Sequence, residues 1–428
     1  MIRDLNILVC PGGTEIGLEI NKALRFTRNI SLFSAGMDIP NHAPYVFLRH
    51  FPVPGFQNKH FLTELNNIIN AHAIDYVFPA HDDVLTELAR HRHELKAGLV
   101  TSPLKTCLIA RSKSATYAAI ASRVPMPICY SSADEVDVFP VCLKPDSSQG
   151  SEGVRLAWDR QELEMILRRS PDLLILEYLP GAEYTVDCFS DRGRGLLYVA
   201  GRERVRTRAG ISVTTVSASL PAFKSMAESI AAALVFHGTW FFQVKADRNG
   251  ILKLLEIAPR IGGAMAYDRV KGVNLPLLSI YEQERLPLSI RALSIDIVMD
   301  RALTNRYSCQ LKYTTVYVDF DDTLFFKGKL NAALVGFLCQ SANMGKKNVL
   351  LTKHAGDLHK SLSQMRITEL FDRIIHLPCN ARKADYINAG EDAIFIDDSF
   401  SERMDVLEKK GVMSFDCSML ELLIDERA

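Results

Sequence analysis

Trp240-Phe241-Phe242-Gln243-Val244-Lys245-Ala246-Asp247 and Leu254-Leu255-Glu256-Ile257-Ala258-Pro259-Arg260 are two apolar runs joined through Arg248-Asn249-Gly250. An Asn-Gly step between runs of this kind reads as the turn of a β-hairpin. Pairing the two strands brings Gln243 and Glu256 together as oxygen donors for Mg²⁺. It also leaves Arg260 nearby for a phosphate under transfer.

Upstream, Leu173-Leu174-Ile175-Leu176-Glu177-Tyr178-Leu179-Pro180-Gly181 reads as a buried strand with an acid at its exit, and Ala182-Glu183-Tyr184-Thr185-Val186-Asp187 follows it. A helix over 112–122 carries Lys113. Phe139-Pro140-Val141-Cys142-Leu143-Lys144-Pro145 then leads into the small-residue loop Asp146-Ser147-Ser148-Gln149-Gly150-Ser151-Glu152-Gly153. A lysine beside loop amides and hydroxyls can cradle a polyphosphate, with an ordinary hairpin loop as the other reading. In Arg202-Glu203-Arg204-Val205-Arg206-Thr207-Arg208 the arginines recur at period two, so an extended backbone puts all four on one face. That is either a guanidinium comb for phosphates and carboxylates or a charged hairpin edge; Arg204 is favoured as functional, without ranking the four.

At the N-terminus, Asn6-Ile7-Leu8-Val9-Cys10 opens into Pro11-Gly12-Gly13-Thr14-Glu15-Ile16-Gly17 and a helical pattern. Such a turn offers N–H groups to an anion, but the glycines lack dinucleotide-fingerprint spacing and a packing turn fits equally. Asp75-Tyr76-Val77-Phe78-Pro79-Ala80, leading into His81-Asp82-Asp83, reads as another parallel strand of the same sheet. His81, His91 and His93 read as surface or satisfied histidines, His237 as structural and Cys10 as a small apolar packing residue.

From the first strand to about residue 300, this ordered series resembles the ATP-grasp superfamily. The resemblance implies an α/β domain over 1–105 and a two-lobed α+β ATP-grasp domain over 106–300. Lys113 and Lys144 would contact phosphates, under a mobile loop containing Ser147, Ser148, Gly150 and Ser151. Glu177 and Leu179 would meet adenine, and Glu183 the ribose. Gln243 and Glu256 would bind Mg²⁺, and Arg260 would steady the transferred phosphoryl group, with arginines near Arg204 serving ATP or acyl phosphate. Gln243 in place of an acid resembles the carbamoyl phosphate synthase branch. The usual last metal motif is Glu-x-Asn-Pro-Arg; Ala258 replaces its asparagine and cannot ligate metal.

Beyond a linker at 301–312, Val316-Tyr317-Val318 runs into Asp319-Phe320-Asp321-Asp322-Thr323. Carboxylates two residues apart at a strand end share one side of the backbone. Asn348-Val349-Leu350-Leu351 ends in Thr352, Lys383 follows, and Ala393-Ile394-Phe395-Ile396 ends in Asp397-Asp398. Polar groups at three strand ends are a set for phosphoryl transfer in the crevice of an open parallel sheet. In order and spacing, residues 313–428 resemble the haloacid dehalogenase superfamily of aspartyl-phosphate phosphatases. This implies Asp319 as nucleophile, Asp321 as acid/base, Thr352 and Lys383 on phosphate, and Asp319, Asp321, Asp397 and Asp398 around Mg²⁺. Neither interval between these motifs has room for a cap, so a capless Rossmann-like domain with an open site is expected.

The 428 residues allow several domains, and 48% hydrophobic content supports sizeable cores. Lys plus Arg equals Asp plus Glu at 50 each, so no global field favours nucleic acid or an anionic membrane. Nine scattered cysteines without a Cys-x-x-Cys step argue for a reducing cytoplasm, and no apolar run spans a bilayer. The expected protein is a multidomain α/β enzyme using ATP and Mg²⁺ to join a carboxylate to an amine through an acyl phosphate. A phosphatase would act on a phosphorylated metabolite or sugar-linked substrate, and a homodimer stays open. A phosphatase carrying a nucleotide-binding module, and carbamoyl-phosphate chemistry, remain the alternatives.

Overall fold

A computed structural model describes residues 3–148, 150, 152–388 and 390–427. The chain divides into two compact units, one ending at Leu303 and one beginning at Thr304. The first unit takes in both the 1–105 and the 106–300 segments, and its end returns to it: strand Val298–Asp300 pairs with Ile211–Ala218 and Arg301 reaches Glu15.

The first unit opens with a five-stranded parallel sheet in the order Arg49–Pro52, Ile30–Gly36, Leu5–Cys10, Tyr76–Pro79, Gly98–Leu99. Strand alternation sends Leu5, Ile7 and Val9 against Ile20 and Leu24 of helix Glu15–Leu24, while Leu8 and Cys10 meet Phe61, Leu65 and Ile69 of helix Phe61–Ala71. The strand order reverses around Leu5–Cys10, so a crevice opens at its carboxyl end. Gly12 lies under that end because an added Cβ would meet the Ser34 Cβ at 2.4 Å.

Two antiparallel lobes follow. The first pairs Cys129–Tyr130, Leu173–Glu177, Val141–Pro145 and Arg155–Ala157, with helix Arg160–Arg169 against it. The second has six strands, in the order Leu252–Ala258, Gly238–Ala246, Glu183–Asp191, Gly195–Arg208, Ile211–Ala218, Val298–Asp300, and buries Trp240 and Phe242 against helix Pro221–Ala233. The hairpin expected around Arg248-Asn249-Gly250 forms, with Gly250 at φ +79° and Gln243 opposite Glu256.

The second unit is a five-stranded parallel sheet in the order Arg373–His376, Lys347–Thr352, Thr315–Val318, Ala393–Ile396, Met413–Phe415. All four residues of Thr315–Val318 are buried, as a strand covered on both faces requires. Helix Ala332–Asn343 packs Leu334 and Phe337 on Val316 and Val318. Between Thr323 and that helix there is only the small hairpin of Phe325–Phe326 and Lys329–Leu330, and no inserted domain occurs among the described residues. No helix of the described residues is long and apolar enough to cross a membrane, and all nine cysteines are unpaired.

Candidate functional site

In the first unit a cavity of ≈ 310 Å³ is walled by Lys113, Ser148 and Gly150 on one side, and by Arg202, Arg204, Gln243, Glu256 and Arg260 on the other. Helix Lys113–Ile120 starts at Ser112, whose hydroxyl caps the Ala115 amide, and this delivers Lys113 to the loop after strand Val141–Pro145. The Lys113 ammonium donates to the carbonyls of Pro145 and Asp146 at 3.2 and 3.3 Å and to the Ser148 hydroxyl at 3.1 Å. Burial lowers its pKa, with the Glu256 charge opposing. Across the gap, Gly210 at φ +72° touches Gly150 so closely that a Cβ would come within 2.2 Å of its carbonyl carbon. A turn of one lobe thus meets the loop after strand Val141–Pro145 of the other.

Glu256 is pushed up by burial and by the charge of Asp82, with Lys113, Lys144 and Arg260 opposing. With Ala258 supplying no ligand, one amide oxygen and one carboxylate make a donor set that fits a hard cation shared with nucleotide phosphates, not a dedicated protein cage. Arg260 forks onto Asp82 at 2.5 and 2.7 Å. Burial raises the Asp82 carboxyl, but Arg260 more than offsets this and holds it below its ordinary value.

The arginine comb is broken. Register shifts between Arg204 and Thr207 turn the strand, so the four guanidinium groups do not share a face. Arg202 is buried and Arg204 nearly so, while Arg206 is exposed and pairs with Asp300 at 3.0 Å. Arg202 holds Asp187 at 2.5 Å, and among the described residues its buried Nη1 has no hydrogen-bond partner. Next to this pair, Asp268 accepts from the Tyr198 hydroxyl at 2.8 Å and is raised well above the carboxylate range by burial and the Asp187 charge.

Several expected nucleotide contacts lie off this cavity. Lys144 and the exposed Ser147 do not line it. Glu177 is held by Lys253 at 2.6 Å and accepts the Ile128 amide at 3.0 Å, and Leu179 is buried near it. Glu183 is engaged by Arg204 at 2.8 Å and Lys245 at 3.7 Å. Gln149 and Ser151 lie outside the described residues. The cavity also recruits residues with no role in the sequence reading: Glu15, His81, Asp82, Arg111 and Arg301. His81 is not a bystander of the surface, since it caps helix Asp82–Arg90 by accepting the Asp83 amide at 3.2 Å. The acidic pair after strand Tyr76–Pro79 was the one signal available for them.

In the second unit Val318 pairs with both Leu350 and Ile396, so the next residues, Asp319 and Asp397, emerge side by side. Lys383 sits between them, 2.6 Å from each, and all three are buried. Burial raises Asp319 and takes Asp397 up to about 6, in both cases against the pull of Lys383. Burial works to lower Lys383, yet the two carboxylates hold it above its ordinary value. Thr352 is buried, and among the described residues its hydroxyl has no hydrogen-bond partner. Asp319, Asp397 and Asp398 bring one oxygen each within 4.8 Å of one another, an all-oxygen set that fits Mg²⁺. Asp398 is oriented by the Thr323 hydroxyl at 3.1 Å. Asp321 stands outside this cluster; its carboxylate faces His354 Nδ1 at 2.9 and 3.0 Å. The sequence reading did not single out His354.

The family described as ATP-grasp in the biosynthetic pathway with Ter operon matches residues 169–298. Among solved structures, N5-carboxyaminoimidazole synthetase of Staphylococcus aureus with ADP is similar at TM-score 0.60 and 16% identity, over 71% of this chain and 83% of that one. The biotin carboxylase domain of Hydrogenobacter thermophilus 2-oxoglutarate carboxylase, a dimer with MgADP and bicarbonate, gives TM-score 0.58 and 15% identity over 68% and 72%. An L-amino acid ligase of Bacillus licheniformis gives 0.52 and 17% over 65% and 74%. No curated protein sequence matches the chain. The chain therefore carries a mixed α/β, multidomain ATP-grasp fold, with residues 169–298 inside it.

Proposed function

We propose that the chain is an ATP-dependent carboxylate–amine ligase joined to a phosphatase of the haloacid dehalogenase type. The proposed domains are an N-terminal α/β domain over 1–105, the ATP-grasp domain over 106–300, a linker at 301–312 and the phosphatase over 313–428. The observation that carries the ligase reading is the convergence of Lys113, Ser148, Gly150, Arg204, Gln243, Glu256 and Arg260 on one cavity. In the ligase step a carboxylate oxygen attacks the γ-phosphorus of ATP and ADP leaves. The amine then attacks the acyl carbon, loses a proton and expels phosphate. Lys113 and the loop hold phosphate oxygens, Arg260 follows the transferred group, and Arg202 or Arg204 receives the acid. Gln243 and Glu256 would hold Mg²⁺, which when bound neutralises phosphate charge. Glu177 and Leu179 bound the adenine end, Glu183 meets the ribose, and Lys144 and Ser147 join when the loop closes over ATP. The similar structures, two of them with ADP or MgADP and one an amino acid ligase, support this reading.

In the second unit Asp319 attacks the phosphorus of a phosphate ester while Asp321 protonates the leaving oxygen. Asp321 then takes a proton from the water that opens the aspartyl phosphate. Asp319, Asp397 and Asp398 would hold Mg²⁺, with Thr352 and Lys383 on phosphoryl oxygens. The absence of an inserted domain among the described residues leaves room for a bulky ester or for the product of ligation.

ADP release by the full chain, measured with pooled carboxylates and amines, tests the ligase. Release that needs both reactants and survives Asp319→Asn is expected. Ala258 favours one competing reading, a nucleotide-binding module beside a lone phosphatase, and ATP binding without turnover would establish that instead. Dependence on bicarbonate alone would shift the assignment to carbamoyl-phosphate chemistry.

A further inference from the structure

A second cavity, of ≈ 410 Å³, opens at the carboxyl ends of the parallel strands in the first unit. It is lined by Pro11 after the first strand, Gly36, Met37 and Ile39 after the second, Val53, Pro54 and Phe56 after the third, and Phe61 and Val84 from the helices below. This is the crevice at the switch in strand order, where open α/β sheets receive ligands. Thr14 and His81 line both this cavity and the one holding Arg260. The two spaces therefore share a wall, and the residue after His81 is the Asp82 that grips Arg260.

The lining is mostly apolar. Among the described residues no lysine or arginine lines the cavity. Of the polar side chains present, Thr14, Asn41 and His81 are already committed to the protein, and Gln57 remains at the rim. The Thr14 hydroxyl donates toward Ala80 at 3.0 Å and Pro11 at 3.2 Å and accepts the Gly17 amide at 3.0 Å. The Asn41 side chain accepts the Ala43 amide and donates to the Ile39 carbonyl, both at 2.8 Å. Apart from Gln57, what remains on offer is apolar surface: Met37, Ile39, Val53, Phe56, Phe61 and Val84. A dry pocket of about 150 Å³ already admits benzene, so the space is ample for an aromatic ring or a branched aliphatic chain.

We infer that this cavity is the side-chain subsite of the ligase, and that the acid activated here carries an uncharged aromatic or bulky aliphatic group. Its carboxylate lies in the cavity that Arg202, Arg204 and Arg260 share, and its apolar tail passes between Thr14 and His81 into the second cavity. The inference rests on the ligase reading and narrows its substrate class. A phosphorylated or dicarboxylic acid substrate would meet no cation in this subsite.

The test uses the full chain and two probe acids, 3-phenylpropionate and glutarate, with binding followed by ligand-observed NMR. MgATP binding is measured in parallel by calorimetry. Met37 and Ile39 are 51% and 56% exposed, so Ile39→Lys and Met37→Lys can place a cation at the rim without disturbing the core. The wild-type chain is expected to bind 3-phenylpropionate at least about tenfold more tightly than glutarate, from burial of the ring. Either lysine variant should abolish or invert that preference while MgATP binding persists. Equal affinities, no binding of 3-phenylpropionate, or a preference unchanged in both variants overturns the inference. A wild-type chain that prefers 3-phenylpropionate but binds no MgATP would instead sink the ligase reading and leave the apolar subsite standing.

Discussion

Arg260, at the end of a lobe hairpin, is held by both carboxylate oxygens of Asp82, which starts a helix of the N-terminal parallel-sheet layer. A residue some 180 positions away in the chain thus aims the guanidinium that the phosphoryl group is proposed to meet. Asp82→Ala should leave the ATP KM within about twofold and lower kcat for ADP release by on the order of 10²-fold, as a misaimed catalytic group does. Arg260→Lys should not restore activity, because an ammonium cannot make the fork. Steady-state ADP release for the two variants checks both statements.

The Asp187–Arg202 pair and Asp268 form a buried group in which burial and the neighbouring charge favour the protonated form of Asp268. Asp268→Asn should therefore cost within about 1 kcal/mol. Asp187→Asn strands the Arg202 charge and should cost about 3–5 kcal/mol. Both tryptophans, Trp158 and Trp240, precede residue 304, so urea unfolding followed by tryptophan fluorescence reports this unit alone.

His237 is driven from its ordinary 6.5 down to about 4 by burial and by the charges of Arg192 and Arg92. The unfolded chain binds this proton below about 6.5 and the folded one does not until about 4. The stabilisation is present in full above 6.5 and is lost as pH falls toward 4. His237→Gln should flatten that limb of the stability profile, measured by the same fluorescence between pH 4.5 and 7.5.

Lys383 bridges Asp319 and Asp397 in a buried site. Mg²⁺ at about 100 times its Kd should stabilise the second unit by roughly 2.7 kcal/mol. Asp397→Asn should remove most of that gain. Differential scanning calorimetry of the full chain with and without Mg²⁺ reads the shift.

The pairing of His354 with Asp321 orients the proposed acid/base. His354→Ala should lower kcat for p-nitrophenyl phosphate by about tenfold, smaller than the loss on Asp321→Asn. A burst of p-nitrophenol at unchanged amplitude would show that the chemistry at Asp319 is intact.

Strand existence and the order of chemistry-bearing residues were legible in the chain because they are local. The apolar runs around Gln243 and Glu256 and the Asn-Gly turn specify their own pairing, as the observed register shows. Val316 to Val318 and Ile394 to Ile396 likewise announce buried parallel strands through unbroken hydrophobicity. Period-two reasoning failed at Arg206, where a bulge that no residue type signals turned the strand. Tertiary structure alone decided which charges meet. Asp82 reaches Arg260, Asp187 neutralises Arg202, His354 takes Asp321, and Thr14 and His81 wall two cavities at once. Periodicity specifies which face of an element is buried, whereas an ion pair or a cavity depends on packing between elements distant in the chain, and that is set only when the layers close.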